Sequence, residues 1–184
     1  MSAGDNPPKS INIVIEIPEG SSVKYETDLE SGTIFVDRFL HTATYYPFNY
    51  GFIPKTMGTD GDPIDALVLC QDSVYPMSVI RSRPIGVLLM EDENGDDPKI
   101  IAVPNRSVDP FYADVKSAQH LPEYTKNQIE HFFEHYKETE PNKFVKIKGW
   151  GSVDLAHRLI TKAMKLNNPS KMKKISSKLG NANV

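Results

Sequence analysis

Three aspartates stand within six residues in "DGDPID": Asp60, Asp62 and Asp65. Gly61 separates the first two and Pro63 follows the second, before the chain turns apolar in "ALVLC". At the mouth of a strand, Asp60 and Asp62 would share one side of extended chain, about 7 Å apart. Asp65 has the opposite parity, and the bend that Pro63 forces can swing it back toward the other two. Two unit charges 4 Å apart repel by about 4 kcal/mol at an effective dielectric of 20, so three converging carboxylates require a cation. Carboxylate oxygens with no His or Cys ligand set nearby point to Mg²⁺ or a relative such as Mn²⁺. A calcium loop also opens Asp-x-Asp, but it needs an oxygen ligand at the fifth position, glycine at the sixth and glutamate at the twelfth. Here those positions hold Ile64, Asp65 and Gln71. The plainer reading, a polar turn whose aspartates accept local hydrogen bonds, stays open on this hexapeptide alone.

A second acidic cluster follows. "MEDENGDDPK" holds Glu91, Asp92, Glu93, Asp96 and Asp97 at an expected hairpin turn, ordinarily a solvated loop. Asp92 and Asp97 precede Lys99 at the head of "KIIAVP", which can present carboxylate and ammonium to one cavity. Cationic and hydroxyl donors recur elsewhere: Lys24 with Glu26 in "VKYETD", Arg38 in "FVDRF", Tyr46 and Tyr50 in "YYPFNYGFIP", and Tyr136 and Lys137 in "HYKE". Each alone is bland, since a lone lysine is usually solvated and a strand tyrosine usually core. Together they describe Asp-held metals facing Lys, Arg and Tyr donors, an arrangement suited to phosphoryl groups.

The elements that must position these residues are mostly short strands. β-type segments run over "INIVIEI" (Ile11–Ile17), "SVKYET" (Ser22–Thr27), "TIFVDRF" (Thr33–Phe39), "NYGFI" (Asn49–Ile53), "DALVLC" (Asp65–Cys70), "SVIRSRPIGVLLMED" (Ser78–Asp92), "KIIAVP" (Lys99–Pro104) and "KFVKIKGWG" (Lys143–Gly151). "LESGTIF" and "DENGDDPK" carry the turn chemistry of hairpins. Such spacing argues for a closed or nearly closed barrel. Two helices come late. Ile129, Phe132, Phe133 and Tyr136 follow helical spacing, with Pro122 suited to the first turn. Leu155, Leu159, Ile160, Ala163 and Leu166 share a face after a cap at Ser152 or Asp154. The expectation is one domain over residues 1–184, with residues 1–10 a loose arm and 168–184 a basic mobile tail.

The net charge of −3 conceals an asymmetry, because no acidic residue follows Asp154 while seven lysines and arginines do. Residues 1–154 therefore carry 14 basic against 24 acidic residues, or −10. A body that acidic repels nucleic acid and bare anions, so any anion it binds needs a cationic mediator. At 39% hydrophobic and 24% charged, the chain reads as an ordinary globular protein without a membrane span. Its N-terminus lacks an apolar signal core and Cys70 is its single cysteine, so the cytoplasm is the expected compartment.

At these residues the sequence closely resembles the soluble inorganic pyrophosphatases of family I, in their shorter bacterial form. "DGDPID" matches that family's Asp-x-Asp-Pro-hydrophobic-Asp signature, and the match continues through "IEIP", "KYE", "SGTIFVDRF", "YPFNYGFIP", "GDDPKIIAVP", "HFFEHYK" and "KGWG". It spans roughly Ile11 to Gly151 in uninterrupted order. The resemblance implies an α+β fold, an OB-type five-stranded barrel with two flanking helices, and Mg²⁺-dependent hydrolysis of pyrophosphate to two orthophosphates, with Mn²⁺ or similar able to substitute. It implies that Asp60, Asp65 and Asp97 hold a first tight metal, with Asp65 also touching the second. Asp92 and Asp97 would hold metals arriving with substrate, and Glu16 would support the metal shell through water. Asp62 would be the general base for the water or hydroxide between the tight metals. Lys24, Arg38, Tyr46, Tyr50, Lys99, Tyr136 and Lys137 would contact phosphate or the residues that do, and Glu26 would anchor that side. A homohexamer, a dimer of trimers with contacts near His131 and His135, is also implied.

Two other readings remain at this level. An OB module could bind single-stranded nucleic acid through Tyr46, Phe48 and Tyr50, although the acidic barrel portion lacks a basic groove. A metal phosphoesterase could act on organic phosphates, which needs room for a leaving-group alcohol.

Overall fold

The structure, a computed structural model, describes residues 1–167. β1 (Ile11–Ile17) is an almost unbroken apolar run buried along nearly its whole length, as a strand covered on both faces must be. β2 (Val23–Thr27) and β3 (Ile34–Phe39) form a separate two-stranded hairpin. β4 (Asn49–Phe52), β5 (Asp65–Val68), β6 (Val79–Asp92), β7 (Gly95–Asp96), β8 (Lys99–Pro104) and β9 (Val145–Gly151) complete the strands. Neighbours run β1-β4-β5-β8-β6, and β6 returns to pair with β1, closing a ring of five. β5 and β8 pair in parallel; the other pairs of the ring are antiparallel.

β6 can serve several partners because it is 14 residues long. Its first residues pair with β1, its middle with β8, and its last with β9 and β7. The β6–β8 register shifts between Pro84 and Gly86, where proline has no N–H to give the ladder. Alternate residues divide between two cores. Ala66, Val68, Ile100 and Ala102 join one with Ile160 and Ala163, while Leu67, Leu69, Ile101 and Val103 join the other with Ile129, Phe132 and Phe133. The two helices, α1 (Glu123–His135) and α2 (Val153–Leu166), each close one of these cores. The fold is mainly β with two α-helices, consistent with the OB-type α+β class. Among the described residues no helix is long and apolar enough to cross a membrane.

Some local expectations shift. Pro122 stands at the N-cap of α1, one residue ahead of the first turn. Ser152 is the cap of α2, its hydroxyl accepting from the Leu155 amide at 3.2 Å. On α2 Ala156 is buried with Ile160 and Ala163, while Leu155 and Leu159 are half-buried, so the stripe is rotated from the expected one. Residues 1–10, expected as a loose arm, are pinned to the ring. Ala3 is buried and its carbonyl accepts from the Asn12 amide at 2.8 Å, while Asn6 bridges to Ser10. The expected basic tail, 168–184, lies outside the described residues.

Candidate active site

One cleft of about 750 Å³ gathers the residues that the sequence singles out, apart from Tyr46. β1 supplies Glu16, the β2–β3 hairpin Lys24, Glu26 and Arg38, and β4 Tyr50. Asp60 and Asp62 come from the β4–β5 loop, and Asp65 opens β5. Asp92 ends β6, Asp97 precedes β8, and Lys99 begins it. Tyr136 and Lys137 follow the last turn of α1. Tyr46 lies beneath this wall: it is 2% exposed and packs on Tyr50 and Phe132, with ring centroids 5.3 and 4.6 Å away.

The aspartate loop is not the extended chain expected for residues 60–62. Gly61 takes φ +100°, and Asp60 Oδ1 accepts from the Asp62 amide at 3.1 Å, which folds the segment into a turn. Buried Thr56 fastens the loop's end: its hydroxyl donates to the Ile53 carbonyl at 2.6 Å and accepts from the Ile64 amide at 3.0 Å. The Met57 amide reaches the Ala163 carbonyl of α2 at 3.1 Å. Loop hydrogen bonds, and not strand parity, bring the three aspartates to one cleft.

Lys99 is the cationic centre. Its side chain is 4% exposed, and its Nζ donates to Asp65 Oδ2 at 2.5 Å and Asp97 Oδ1 at 2.6 Å, 5.7 Å from the centroid of the Tyr50 ring. Burial works against the ammonium, and the Asp65 and Asp97 carboxylates more than offset it, holding its pKa well above the lysine range. Lys137 donates to Asp92 Oδ2 at 2.8 Å and Glu93 Oε2 at 2.9 Å. Lys24 meets Glu26, and also Asp37 Oδ2 at 3.1 Å.

Carboxylates outweigh these cations. Burial pushes Glu16 up to about 7, even though it accepts from the Thr27 amide at 2.7 Å. Burial raises Asp97 as well, with Lys99 opposing and Asp65 adding to the rise. Asp62 is exposed at the mouth, yet partial desolvation by its loop and repulsion from Asp60 and Asp65 raise its carboxyl too. Carboxylates pushed up by one another and by burial are short of positive charge, and an all-oxygen donor set is what Mg²⁺ takes. The residues therefore fit a hard divalent cation. Among the described residues no three metal-ligating side chains are gathered into a ready cluster; Asp65 and Asp97 turn to Lys99 instead.

Several residues in or beside the cleft went unassigned in the sequence. Glu93 bonds both Lys137 and Lys143; burial opposes its ionisation, yet those hydrogen bonds bring it down to about 2. Asp37 ties Arg38 to Lys24, and Glu140 meets Arg38 from the turn after α1. Glu93 sits inside the second acidic cluster and Asp37 beside Arg38, so adjacency could have flagged both. Glu140 and Lys143 carried no such signal, because only the fold brings the turn after α1 to β3 and β6.

The family model described as inorganic pyrophosphatase matches residues 13–168 of this chain. An inorganic pyrophosphatase of Aquifex pyrophilus is 56% identical over 164 residues, covering 89% of this chain and 93% of that one. One from Sulfolobus acidocaldarius is 54% identical over 165 residues, covering 90% and 95%. Among solved structures, the inorganic pyrophosphatase of Helicobacter pylori superposes with a TM-score of 0.87 at 47% identity, over 89% of this chain and 96% of its own. Signature loop, cleft and similarity over most of the chain agree: this chain belongs to the inorganic pyrophosphatase family.

Proposed function

We propose that this protein hydrolyses inorganic pyrophosphate to two orthophosphates with Mg²⁺, drawing pyrophosphate-releasing syntheses forward. The observation that carries this reading is the single cleft in which Asp60, Asp62, Asp65, Asp92 and Asp97 face Lys24, Arg38, Lys99 and Lys137. Asp60, Asp65 and Asp97 would hold the first metal, and Asp65 would also serve a second. Asp92 and Asp97 would hold those that accompany substrate, with Glu16 supporting them. Bound Mg²⁺ supplies Lewis-acid charge that acidifies water and neutralises phosphate oxygens.

The chain's own groups do the rest. Asp62 takes the proton of the attacking water; desolvation and the neighbouring Asp60 and Asp65 carboxylates raise its carboxyl, the direction that strengthens a proton acceptor. The water oxygen bonds to one phosphorus, the bridging P–O bond breaks, and the electron pair leaves with the second phosphate. Lys24, Arg38, Tyr50, Lys99, Tyr136 and Lys137 hold and orient the phosphate oxygens. Glu26 anchors Lys24, and Tyr46 braces Tyr50 from below. The same reading makes the chain one domain working in the cytoplasm, where such syntheses run.

Phosphate release from pyrophosphate, assayed with Mg²⁺ and with a chelator, tests the reading directly. Release should appear only with metal and should far exceed release from ATP; a folded protein inactive on pyrophosphate, or faster on ATP, would overturn it. The hexamer built as a dimer of trimers belongs to the same proposal. Its support is the outer side of α1, where exposed His131 stacks on His135 with centroids 4.3 Å apart. Sedimentation should return six times the chain mass, and a monomer would remove it.

A further inference from the structure

Arg38 is held at two edges by carboxylates. Its Nε donates to Asp37 Oδ2 at 2.7 Å, and its Nη1 donates to Glu140 Oε2. Glu140 lies in the turn that also carries Tyr136 and Lys137, its amide bonded to the Lys137 carbonyl at 3.0 Å. Its side chain is 8% exposed against 33% for Arg38. Among the described residues the other carboxylate oxygen, Oε1, is buried with no hydrogen-bond partner. A buried acceptor without a donor costs free energy, and among the described residues Arg38 is the cation paired with this carboxylate. The compensation falls on the guanidinium. Among the described residues Nη2 of Arg38 makes no hydrogen bond, so one end of the fork is left for a ligand in the cleft.

We propose that Glu140 is a positioning residue for Arg38 that also tempers its grip on phosphate. This rests on the pyrophosphatase reading above. By binding Nη1, Glu140 fixes the rotation of a planar donor group that otherwise turns freely at the end of its stem. By bringing a negative charge to the same guanidinium, it repels a phosphate bound there, and product leaves more readily. Glutamine at this position keeps the acceptor and the shape but removes the repulsion. Alanine removes both.

The test measures equilibrium binding of inorganic phosphate by calorimetry in saturating Mg²⁺, beside steady-state kinetics. Glu140→Gln should bind phosphate about three- to tenfold more tightly. Its KM for pyrophosphate should fall and its kcat should not rise, because release slows. Glu140→Ala should lose that gain, since the fork is no longer anchored. On an Arg38→Gln background, Glu140→Gln should change phosphate binding less than about twofold, because its effect runs through Arg38. Should the glutamine variant fail to fold, Glu140→Asn keeps an amide acceptor without the charge and is expected to tighten phosphate in the same direction. Unchanged or weaker phosphate binding in a folded glutamine or asparagine variant, or an equal gain without Arg38, would overturn the proposal. A native protein that binds no phosphate under these conditions would instead remove the pyrophosphatase reading on which it rests.

Discussion

Asp60, Asp62 and Asp65 share one cleft but have different surroundings. Asp60 spends Oδ1 on the Asp62 amide and Asp65 meets Lys99, whereas the Asp62 carboxylate accepts no hydrogen bond among the described residues. That difference sets Asp62, the proposed base, apart from the proposed ligands, and the division can be tested experimentally. Asp62→Asn should cut turnover by about 10²–10⁴-fold, the usual worth of a general base, with little change in Mg²⁺ affinity. Asp65→Asn should weaken Mg²⁺ binding by at least the roughly tenfold that even indirect metal partners contribute. Metal titrations that could not tell the two variants apart would undo the assignment. The aspartates, Lys99 and the tyrosines were legible as site candidates from residue type and spacing. The turn at Gly61 was not, because an Asx-type hydrogen bond leaves no periodic trace.

At the scale of elements, the ring of five depends on how closely β1 and β4 approach. A Cβ on Gly51 would fall 1.8 Å from the Val14 carbonyl oxygen and 2.8 Å from the Ile15 Cα, both backbone atoms that cannot swing aside. The same stretch carries the β1–β4 register shift between Ile15 and Ile17, next to Glu16. Gly51→Ala should therefore cost more than about 3 kcal/mol in urea unfolding and should disturb the cleft through Tyr50 and Glu16. A variant as stable as its parent would show that the ladder yields where it is drawn tight. The strands themselves were readable within a residue or two at most ends, since alternation and turn residues are local signals. The rotated stripe of α2 was not, because Ala156 becomes core only through what the ring presents to it.

At the scale of the molecule, net charge sets the order of binding. Carrying −10 over residues 1–154, the chain attracts divalent cations and repels free anions, and on the proposed function metal is expected to bind before phosphate. Saturating Mg²⁺ should raise Tm by several degrees over a chelated sample at matched ionic strength. At 100 times its dissociation constant, a ligand contributes about 2.7 kcal/mol per site. The gain should shrink in Asp65→Asn. An Mg²⁺-insensitive Tm would mean that the raised Glu16, Asp62 and Asp97 carboxyls are not waiting for a cation.

By itself the sequence determined the chemistry on offer and most of the strands and helices. Carboxylate spacing, turn residues and apolar periodicity are all written within a few residues of one another. Tertiary structure alone decided which groups meet. It sank Tyr46 behind Tyr50, pinned the first ten residues to the ring, and carried Glu93, Glu140 and Lys143 into the cleft. Arg38 and Glu140 stand 102 residues apart in the chain. Their pairing follows from how the turn after α1 meets the β2–β3 hairpin, and a contact across that distance has no local signal to read.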